Sequence, residues 1–154
     1  LKITKEFKQQ LGRETKFENK VYLDKNKVGL ELTDIVQINP IYFDLDESKI
    51  RPDAEIELNK IVKFMNDNPT VKIELGSHTD CRATKGYNLT LSNARAKASA
   101  AYVKKRISNP NRIYGKGYGE SKLVNDCGCE GEVISDCSED EHQANRRTEF
   151  VIVK

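Results

Sequence analysis

The sequence of 154 residues lacks several features that would place it in a broad class of proteins at once. No apolar run approaches the roughly 20 residues of a membrane-spanning helix, which argues against a helical membrane domain. Its 26 basic and 24 acidic residues leave a formal net charge of only +2, so the composition does not indicate nucleic-acid binding. It also has no internal repeat and no low-complexity tract.

A targeting segment is missing as well. No signal peptide is visible, and the chain begins with Leu1 rather than methionine. We therefore expect a mature chain or an excised fragment, in which case the missing signal says nothing about the compartment. What is present is a composition of 32 % charged and 37 % apolar residues with a mean hydropathy of −0.68. It predicts one well-hydrated globular domain with room for a short extension.

Cysteine is present in an even number, and most of it is clustered. The four residues are Cys81, Cys127, Cys129 and Cys137, the last three in the stretch NDCGCEGEVISDCSEDE. An even count in a small domain favours disulfides and an oxidising compartment. Zinc is the alternative, with His142 or His78 as a further ligand, although Cys-x-Cys fits the usual zinc spacing poorly. Four cysteines allow three pairings, and their spacing does not select one.

The first part of the chain is irregular, and the pattern sharpens after it. Residues 1–37 are polar, and we expect a linker or the end of an upstream domain there. The stretch INPIYFDL (38–45) is rich in β-branched and aromatic residues, as is typical of a strand. Pro52 marks the start of a helix. Its predicted apolar stripe consists of Ala54, Leu58, Ile61, Val62 and Met65.

A second helix is predicted within residues 88–107, with Asn88 as its N-cap. Its small apolar residues are expected to face a sheet. They are Leu91, Ala94, Ala98 and Ala101. Alternating or apolar patterns predict further strands at 71–77, 112–119 and 147–154, and Ser138 is expected to open a short helix before the last one.

The predicted order is therefore β-α-β-α-β-(loop)-β. It predicts an α/β (α+β) two-layer sandwich, with two main helices on one face of a mixed sheet. We expect this domain to fill residues 38–154, with a cysteine-containing insertion at about 125–138.

One stretch resembles the active site of a phosphatase. IYFDLDES (41–48) ends an apolar run in Asp44-x-Asp46, as in enzymes that form an aspartyl-phosphate. Such enzymes also need a lysine, magnesium-binding carboxylates and several βα units, but only two helices of core length are predicted. Ser77, His78 and Asp80 are too close in sequence for a Ser-His-Asp triad, and no Gly-x-Ser-x-Gly motif is present. We therefore expect no enzyme, and interpret the two acids as the exit of a strand.

A carboxylate and a guanidinium form a second candidate site. Asp80 leaves the end of a predicted central strand, and Arg95 lies two turns into the following helix. Such a pair can be a salt bridge or two solvated groups. It can also be a receptor for a zwitterion, in which Asp80 takes an ammonium and Arg95 takes a carboxylate through two parallel hydrogen bonds.

The motifs around this pair occur in the order of a known family. The chain carries Gly76, His78-Thr79-Asp80, Asn88, Leu91-Ser92, Arg95-Ala96, Gly117-Tyr118-Gly119-Glu120-Ser121 and Asn145-Arg146-Arg147-Thr148-Glu149-Phe150. This pattern resembles the signature of the OmpA-like domain, the peptidoglycan-binding module of outer-membrane proteins, peptidoglycan-associated lipoproteins and flagellar stator proteins. The resemblance covers roughly residues 38–154, and residues 41–48 resemble the family's first strand.

The resemblance implies that the domain binds the peptide stem of peptidoglycan without cleaving it and needs no cofactor or metal. Asp80 matches the family position that binds the amine of meso-diaminopimelate, and Arg95 matches the one that binds its carboxylate. Thr79 and Asn88 match positions that line the pocket, and Asp46 matches one near its rim. Supporting roles are expected for Arg147, Leu91 and Asp44, with Arg146 as a further candidate.

Two departures from the family pattern carry expectations of their own. Ser77 is inserted between the usual glycine and histidine, and Cys81-Arg82 follows Asp80 where many members have a small polar pair. Together with the resemblance, Cys81 implies a disulfide that tethers the binding loop to the insertion. We expect Cys81 to pair with Cys127 or Cys129, and Cys137 to pair with the other.

The family setting implies the periplasm of a Gram-negative cell, associated with the outer membrane. The expected partners are peptidoglycan and, through upstream regions, other envelope proteins, with no nucleic acid. The alternative is a protein-interaction module that has the same fold without peptidoglycan binding.

Overall fold

The computed structural model describes residues 36–131 and 133–153. Three helices and three strands follow one another in this part of the chain. They are α1 (Pro52–Asp67), β1 (Lys72–His78), α2 (Lys85–Lys104), β2 (Ile113–Gly119), α3 (Glu139–Asn145) and β3 (Thr148–Val153). The expected linker at 1–37 lies almost wholly outside the described residues, and the domain boundary at residue 38 stays a prediction. No described helix is long and apolar enough to cross a membrane.

The described strands form one mixed sheet in the order β2-β1-β3. The central β1 runs parallel to β2, with Ile73 opposite Ile113, and antiparallel to β3, with Leu75 opposite Phe150. Side chains on one sheet face join those of α1 and α2 in a single buried core. This core includes Ala54, Leu58, Ile61, Met65, Ile73, Leu75, Ala96, Val103, Ile113, Phe150 and Ile152. The predicted α/β class, with two main helices on one face of a mixed sheet, is confirmed.

Helix α1 follows its sequence signals closely. Pro52 occupies the first turn, where a missing N–H costs nothing, and Asp53 and Glu55 lie where the helix dipole favours acids. At the other end, the Asn68 backbone N–H and side-chain amide both donate to the carbonyl of Phe64. Most of the predicted stripe is buried. Phe64, which was not predicted, is buried with it, whereas Val62 is only partly buried.

Helix α2 begins earlier than predicted. Its N-cap is Thr84, whose hydroxyl accepts a hydrogen bond from the backbone N–H of Tyr87 at 3.2 Å. The expectation that Asn88 is the N-cap is therefore wrong, and Asn88 lies buried in the first turns of the helix. The sequence analysis had not considered Thr84, and the Asn88 amide instead bonds to carbonyls of the preceding loop.

The predicted buried face of α2 is also wrong. Ala94 and Ala101 are exposed, and Leu91 and Ala98 are half-buried. The buried residues are Asn88, Ser92, Ala96, Ser99, Ala100 and Val103. A pattern search for apolar residues missed this face because its side chains are small and partly polar, and because its partner strand β2 is rich in glycine.

The glycines of β2 let the backbone of α2 lie directly against the strand. A Cβ atom on Gly117 would stand 2.2 Å from the backbone nitrogen of Asn93, and one on Gly115 would stand 2.3 Å from the carbonyl oxygen of Ala96. The hydroxyl of Ser92 accepts a 2.9 Å hydrogen bond from the backbone N–H of Gly119. Close approach therefore replaces side-chain interdigitation between these two elements.

The predicted first strand over residues 38–45 is wrong, because this segment has no regular secondary structure and pairs with no described strand. Its backbone groups bond to side chains instead. The N–H of Asn39 donates to Glu57 at 2.8 Å, and Pro40 has no N–H to offer. The carbonyl of Asp44 accepts from Glu47 at 3.1 Å, which closes a turn. The segment still contributes Ile41 to the core.

Two disulfides hold the insertion. They join Cys81 to Cys129 and Cys127 to Cys137. This is one of the two arrangements that the resemblance implied, and Cys129 is the partner of Cys81. All four sulfurs are used, so no thiolate is left for the zinc alternative.

Candidate functional site

Asp80 lies just past the end of the central strand and is 7 % exposed. The two residues before it are tied to both neighbours of β1. The backbone N–H of His78 donates to the carbonyl of Arg147 at 2.9 Å, and that of Thr79 donates to the carbonyl of Gly119 at 2.8 Å. The backbone that delivers Asp80 is therefore fixed from two sides.

The carboxylate of Asp80 already has cationic partners. One oxygen accepts from the backbone N–H of Arg82 at 3.0 Å. The other accepts from the guanidinium of Arg82 at 2.9 Å and from that of Arg146 at 2.6 Å. Burial acts to raise the pKa of Asp80, but the hydrogen bonds from Arg82 and Arg146 outweigh it and lower the pKa to about 2. Asp80 is thus ionised at any physiological pH.

Glu139 completes a closed group of four charges, which we call the Asp80 cluster: Asp80, Arg82, Glu139 and Arg146. The Arg82 guanidinium donates to Glu139 at 2.7 Å, and Arg146 donates to the other oxygen of the same carboxylate. Hydrogen bonds from Arg82 and Arg146 lower the pKa of Glu139. Glu139 is the first residue of α3, so this short helix is joined to the loop that carries Asp80.

A pocket of about 160 Å³ opens beside the Asp80 cluster. Its lining combines aromatic, polar and cationic side chains. They are Ile41, Tyr42, Phe43, Ser77, His78, Arg95, Gln143, Arg146, Arg147 and Thr148. Arg146 belongs both to this lining and to the Asp80 cluster. Three guanidinium groups line the pocket. Arg146 and Arg147 pair with carboxylates, whereas the hydrogen bonds of Arg95 go to backbone carbonyls, so Arg95 is the group suited to an anionic ligand.

Arg95 holds the rim turn, residues 44–47, against α2. Its Nε donates to the carbonyl of Glu47 at 2.9 Å and its Nη2 to that of Asp44 at 3.2 Å. The guanidinium also lies 5.1 Å from the centre of the Phe43 ring. These bonds use two of its five N–H groups, so three are left, two on Nη1 and one on Nη2. Arg95 can therefore still donate two hydrogen bonds to a carboxylate, one from each terminal nitrogen.

The two acids of the suspected phosphatase motif lie in the rim turn and serve other contacts. Asp44 is exposed and pairs with Arg51 at 3.2 Å. Asp46 has a left-handed backbone, with φ of 58°, and accepts a hydrogen bond from the hydroxyl of Tyr87. Neither acid lines the pocket. The pair therefore shapes the rim rather than converging on a substrate.

Asn88 and Thr79 lie behind Asp80 rather than in the pocket lining. The Asn88 amide donates to the carbonyl of Asp80 at 3.1 Å and to the carboxylate of Glu120 at 3.2 Å. The hydroxyl of Thr79 is buried and has no hydrogen-bond partner among the described residues. Leu91 is half-buried on α2 and does not line the pocket. These residues can support the loop of Asp80 without touching a ligand in the pocket.

Arg147 connects the pocket to the outer sheet face. It donates to Glu149 at 2.7 Å and to the carbonyl of Lys122 at 2.8 Å. The ring of His78 lies 3.3 Å from the other oxygen of Glu149 and stacks on Tyr118. Burial, reinforced by the charge of Arg147, lowers the pKa of His78 to about 4, although Glu149 opposes this effect. His78 is therefore neutral at pH 7.

The structure thus brings Arg95, Arg146 and Arg147 to one pocket, and Arg146 joins this pocket to Asp80. Sequence reasoning had not assigned Arg82 or Glu139 to the site. For Arg82 a signal existed, because it follows Asp80 by two residues. Glu139 gave none, because an acid at a helix start is ordinary.

Comparison with known proteins gives a family match and related sequences. Residues 42–135 match the model of the OmpA family. Over 112 residues the chain is 34 % identical to a Gloeobacter violaceus protein named photosystem I P700 chlorophyll a apoprotein A2, covering 73 % of this chain and 12 % of that protein. Over 87 residues it is 37 % identical to the peptidoglycan-associated lipoprotein of Brucella melitensis, covering 56 % of this chain and 52 % of the relative. The chain thus spans about half or less of the length of these relatives.

Solved structures share the fold at low identity. The crystal structure of the peptidoglycan-associated lipoprotein from Burkholderia pseudomallei has a TM-score of 0.58 at 24 % identity, covering 73 % of this chain and 87 % of that one. The cell wall anchor of the T6SS from Pseudomonas aeruginosa has a TM-score of 0.58 at 22 % identity, covering 73 % and 75 %.

Proposed function

The chain belongs to the OmpA family, and from this membership we propose that it binds peptidoglycan without cleaving it and anchors an envelope protein to the cell wall. The Brucella melitensis relative, whose name is peptidoglycan-associated lipoprotein, supports the proposal. The observation that carries it is the junction at Arg146. This residue lines the cationic pocket with Arg95 and holds Asp80 at 2.6 Å, so a carboxylate and guanidinium groups meet at one site.

The ligand chemistry that fits this junction is a zwitterion, such as the free end of a diaminopimelate side chain in the stem peptide. Its carboxylate would take the unused end of the Arg95 guanidinium inside the pocket. Its ammonium would take Asp80, whose carboxylate offers about four acceptor sites, of which three are occupied. Asp46 in the rim turn and Tyr42 in the pocket lining would contact the rest of the peptide.

This arrangement also predicts specificity. A stem peptide with lysine in place of diaminopimelate has the ammonium but lacks the carboxylate. Arg95 would then face the pocket without its anionic partner, and binding would lose a charge-assisted pair worth about 1.5–3 kcal/mol. We therefore propose that the site prefers diaminopimelate.

We further propose that the domain works in the periplasm, associated with the outer membrane of a Gram-negative cell. The two disulfides support an oxidising compartment. A relative named outer membrane porin F from Pseudomonas fluorescens, 34 % identical over 86 residues, supports the envelope setting. Further envelope proteins would be reached through other parts of a longer chain.

Calorimetric titration with a diaminopimelate stem peptide and with its lysine analogue tests the proposal. The expected result is binding of the first and at least tenfold weaker binding of the second. The double variant Asp80→Ala with Arg95→Ala should abolish binding. The matched control is Glu55→Ala with Arg106→Ala, which removes one acid and one arginine at exposed positions outside the site.

Two results would contradict this proposal. A folded wild type that binds neither peptide would favour the protein-interaction module, which shares the fold without the ligand. Binding that persists in the Asp80 and Arg95 double variant would place the site elsewhere.

A further inference from the structure

Asp80 is paired with Arg82 before any ligand arrives. We propose that Arg82 is an internal competitor for the ammonium group of the ligand and thereby sets the affinity of the Asp80 site. This inference rests on the proposed function, since it concerns how the same carboxylate exchanges one cation for another.

The contact geometry makes Arg82 a substitute for a ligand cation. Its guanidinium donates to Asp80 at 2.9 Å, a distance at which a bound ammonium would donate. Only one residue separates the two in sequence, and the backbone N–H of Arg82 also bonds to Asp80 at 3.0 Å. The side-chain contact can therefore break and re-form while the backbone contact holds the loop in place.

Exposure distinguishes the mobile partner from the fixed one. The Arg82 side chain is 35 % exposed, whereas that of Asp80 is 10 % exposed. The arginine can thus swing towards solvent without opening the core, and the carboxylate stays where it is. Its other terminal nitrogen is 2.7 Å from Glu139, so Arg82 keeps an anionic partner after it leaves Asp80.

Arg146 has a different position and is not expected to be displaced. It lines the pocket, which Arg82 does not. In that place its charge favours the carboxylate end of a zwitterion. The ligand would then bring its carboxylate to Arg95 and Arg146 and its ammonium to the acceptor site on Asp80 that the Arg82 side chain vacates.

The net charge of the Asp80 cluster also indicates that Arg82 weakens the binding of an ammonium group. The Asp80 cluster contains two carboxylates and two guanidinium groups, so it is neutral as it stands. An added ammonium raises its charge to +1 as long as Arg82 is present. Removal of Arg82 leaves the cluster with one negative charge, which an ammonium would neutralise. Loss of this arginine should therefore strengthen the binding of an ammonium-bearing ligand.

The test is titration of Arg82→Gln with the diaminopimelate stem peptide. We expect about three- to tenfold tighter binding than in the wild type. Arg106→Gln is the matched control, because it removes the same charge from an exposed arginine that donates to Tyr102 on another part of the surface. Its affinity should equal that of the wild type.

A second peptide isolates the ammonium. When the side-chain amine of diaminopimelate is acetylated, no cation competes with Arg82, and Arg82→Gln should gain nothing. Two outcomes overturn this inference and leave the proposed function intact. In one, Arg82→Gln binds both peptides more tightly than the wild type by the same factor. In the other, the wild type binds the free-amine peptide and Arg82→Gln binds it no more tightly. No binding of the free-amine peptide by wild type and by folded Arg82→Gln overturns both. Binding by Arg82→Gln alone supports the competition.

Discussion

Arg146 donates a 2.6 Å hydrogen bond to Asp80, a residue 66 positions earlier in the chain. This contact ties the residue that follows α3 to the loop that follows β1. It links the carboxylate of Asp80 to the pocket, so the electrostatic consequences of the contact can be measured in the folded domain.

The first prediction concerns stability against pH in Asp80→Asn. The folded pKa of about 2 lies below the ordinary value of 3.8. Ionised Asp80 therefore stabilises the fold above about pH 3.8, and this contribution is lost as pH falls through about 2. At pH 7 the free energy of unfolding of the variant should be about 1–2 kcal/mol lower than that of the wild type, allowing for solvent screening of the partly exposed arginines. Its deficit should shrink between pH 4 and pH 2 in urea titrations.

Exposed Asp140→Asn controls for the change of net charge in that experiment. A deficit in Asp80→Asn that stays constant down to pH 2 would contradict the assigned partners of Asp80.

The second prediction concerns the pKa of Asp80 itself. Arg82→Gln removes one charged donor from its carboxylate, while the backbone N–H of residue 82 and Arg146 remain. The pKa of Asp80 should rise above about 2, because burial, which acts in that direction, is then less strongly opposed. The side-chain carboxyl carbon shift in NMR reports this titration. An unchanged midpoint in Arg82→Gln would mean that the side-chain contact is absent in solution.

The third prediction ranks the two disulfides. Cys81 and Cys129 are 48 positions apart, whereas Cys127 and Cys137 are 10 apart. Chain-entropy estimates give about 4 kcal/mol for the longer loop and about 3 kcal/mol for the shorter one. Replacing the Cys81–Cys129 pair by serines should therefore lower the unfolding free energy more than replacing the other pair. Equal losses in denaturant titrations would show that loop length does not decide their contributions.

The fourth prediction concerns the contact between α2 and β2. In Gly117→Ala the new Cβ would meet the backbone of Asn93 at 2.2 Å, and a backbone cannot yield as a side chain can. We expect a loss of about 3 kcal/mol or more, or failure to fold. Gly86→Ala is the matched control, because Gly86 also lies in a regular element, α2, and an added Cβ would meet nothing within 4 Å beyond the adjoining helix backbone. It should be neutral or up to about 1 kcal/mol more stable. Similar melting temperatures for both variants would contradict the close approach.

Much of the fold was predictable because local signals agree with tertiary structure. Pro52 at the start of α1, Ser138 at the start of α3 and the alternation before and after Phe150 each appear in the structure as predicted. The face of α2 was not predictable from apolar spacing. There the partner strand presents glycines, so small polar residues such as Ser92 are buried where an apolar stripe was sought.

The candidate site likewise contains residues that the sequence marks and contacts that it does not. Asp80 and Arg95 could be selected from the sequence because motif order and strand-end position mark them. Their partners were predictable only in part. Arg82 follows Asp80 by two residues and Arg146 lies in a family motif, whereas Glu139 comes from a distant segment and gave no signal. The first strand was predicted from β-branched and aromatic content, but its backbone bonds to Glu57 rather than to a neighbouring strand.

The Cys81–Cys129 bond would have a mechanical consequence in the proposed anchor. A ligand held by Asp80 would transmit tension to the backbone one residue before Cys81. On one side, that tension enters β1, which hydrogen bonds hold to β2 and β3 along its length. On the other side it meets a covalent crosslink rather than a free loop. The tension would thus be shared between sheet and insertion, and the loop of Asp80 could not separate from the insertion unless the disulfide were broken.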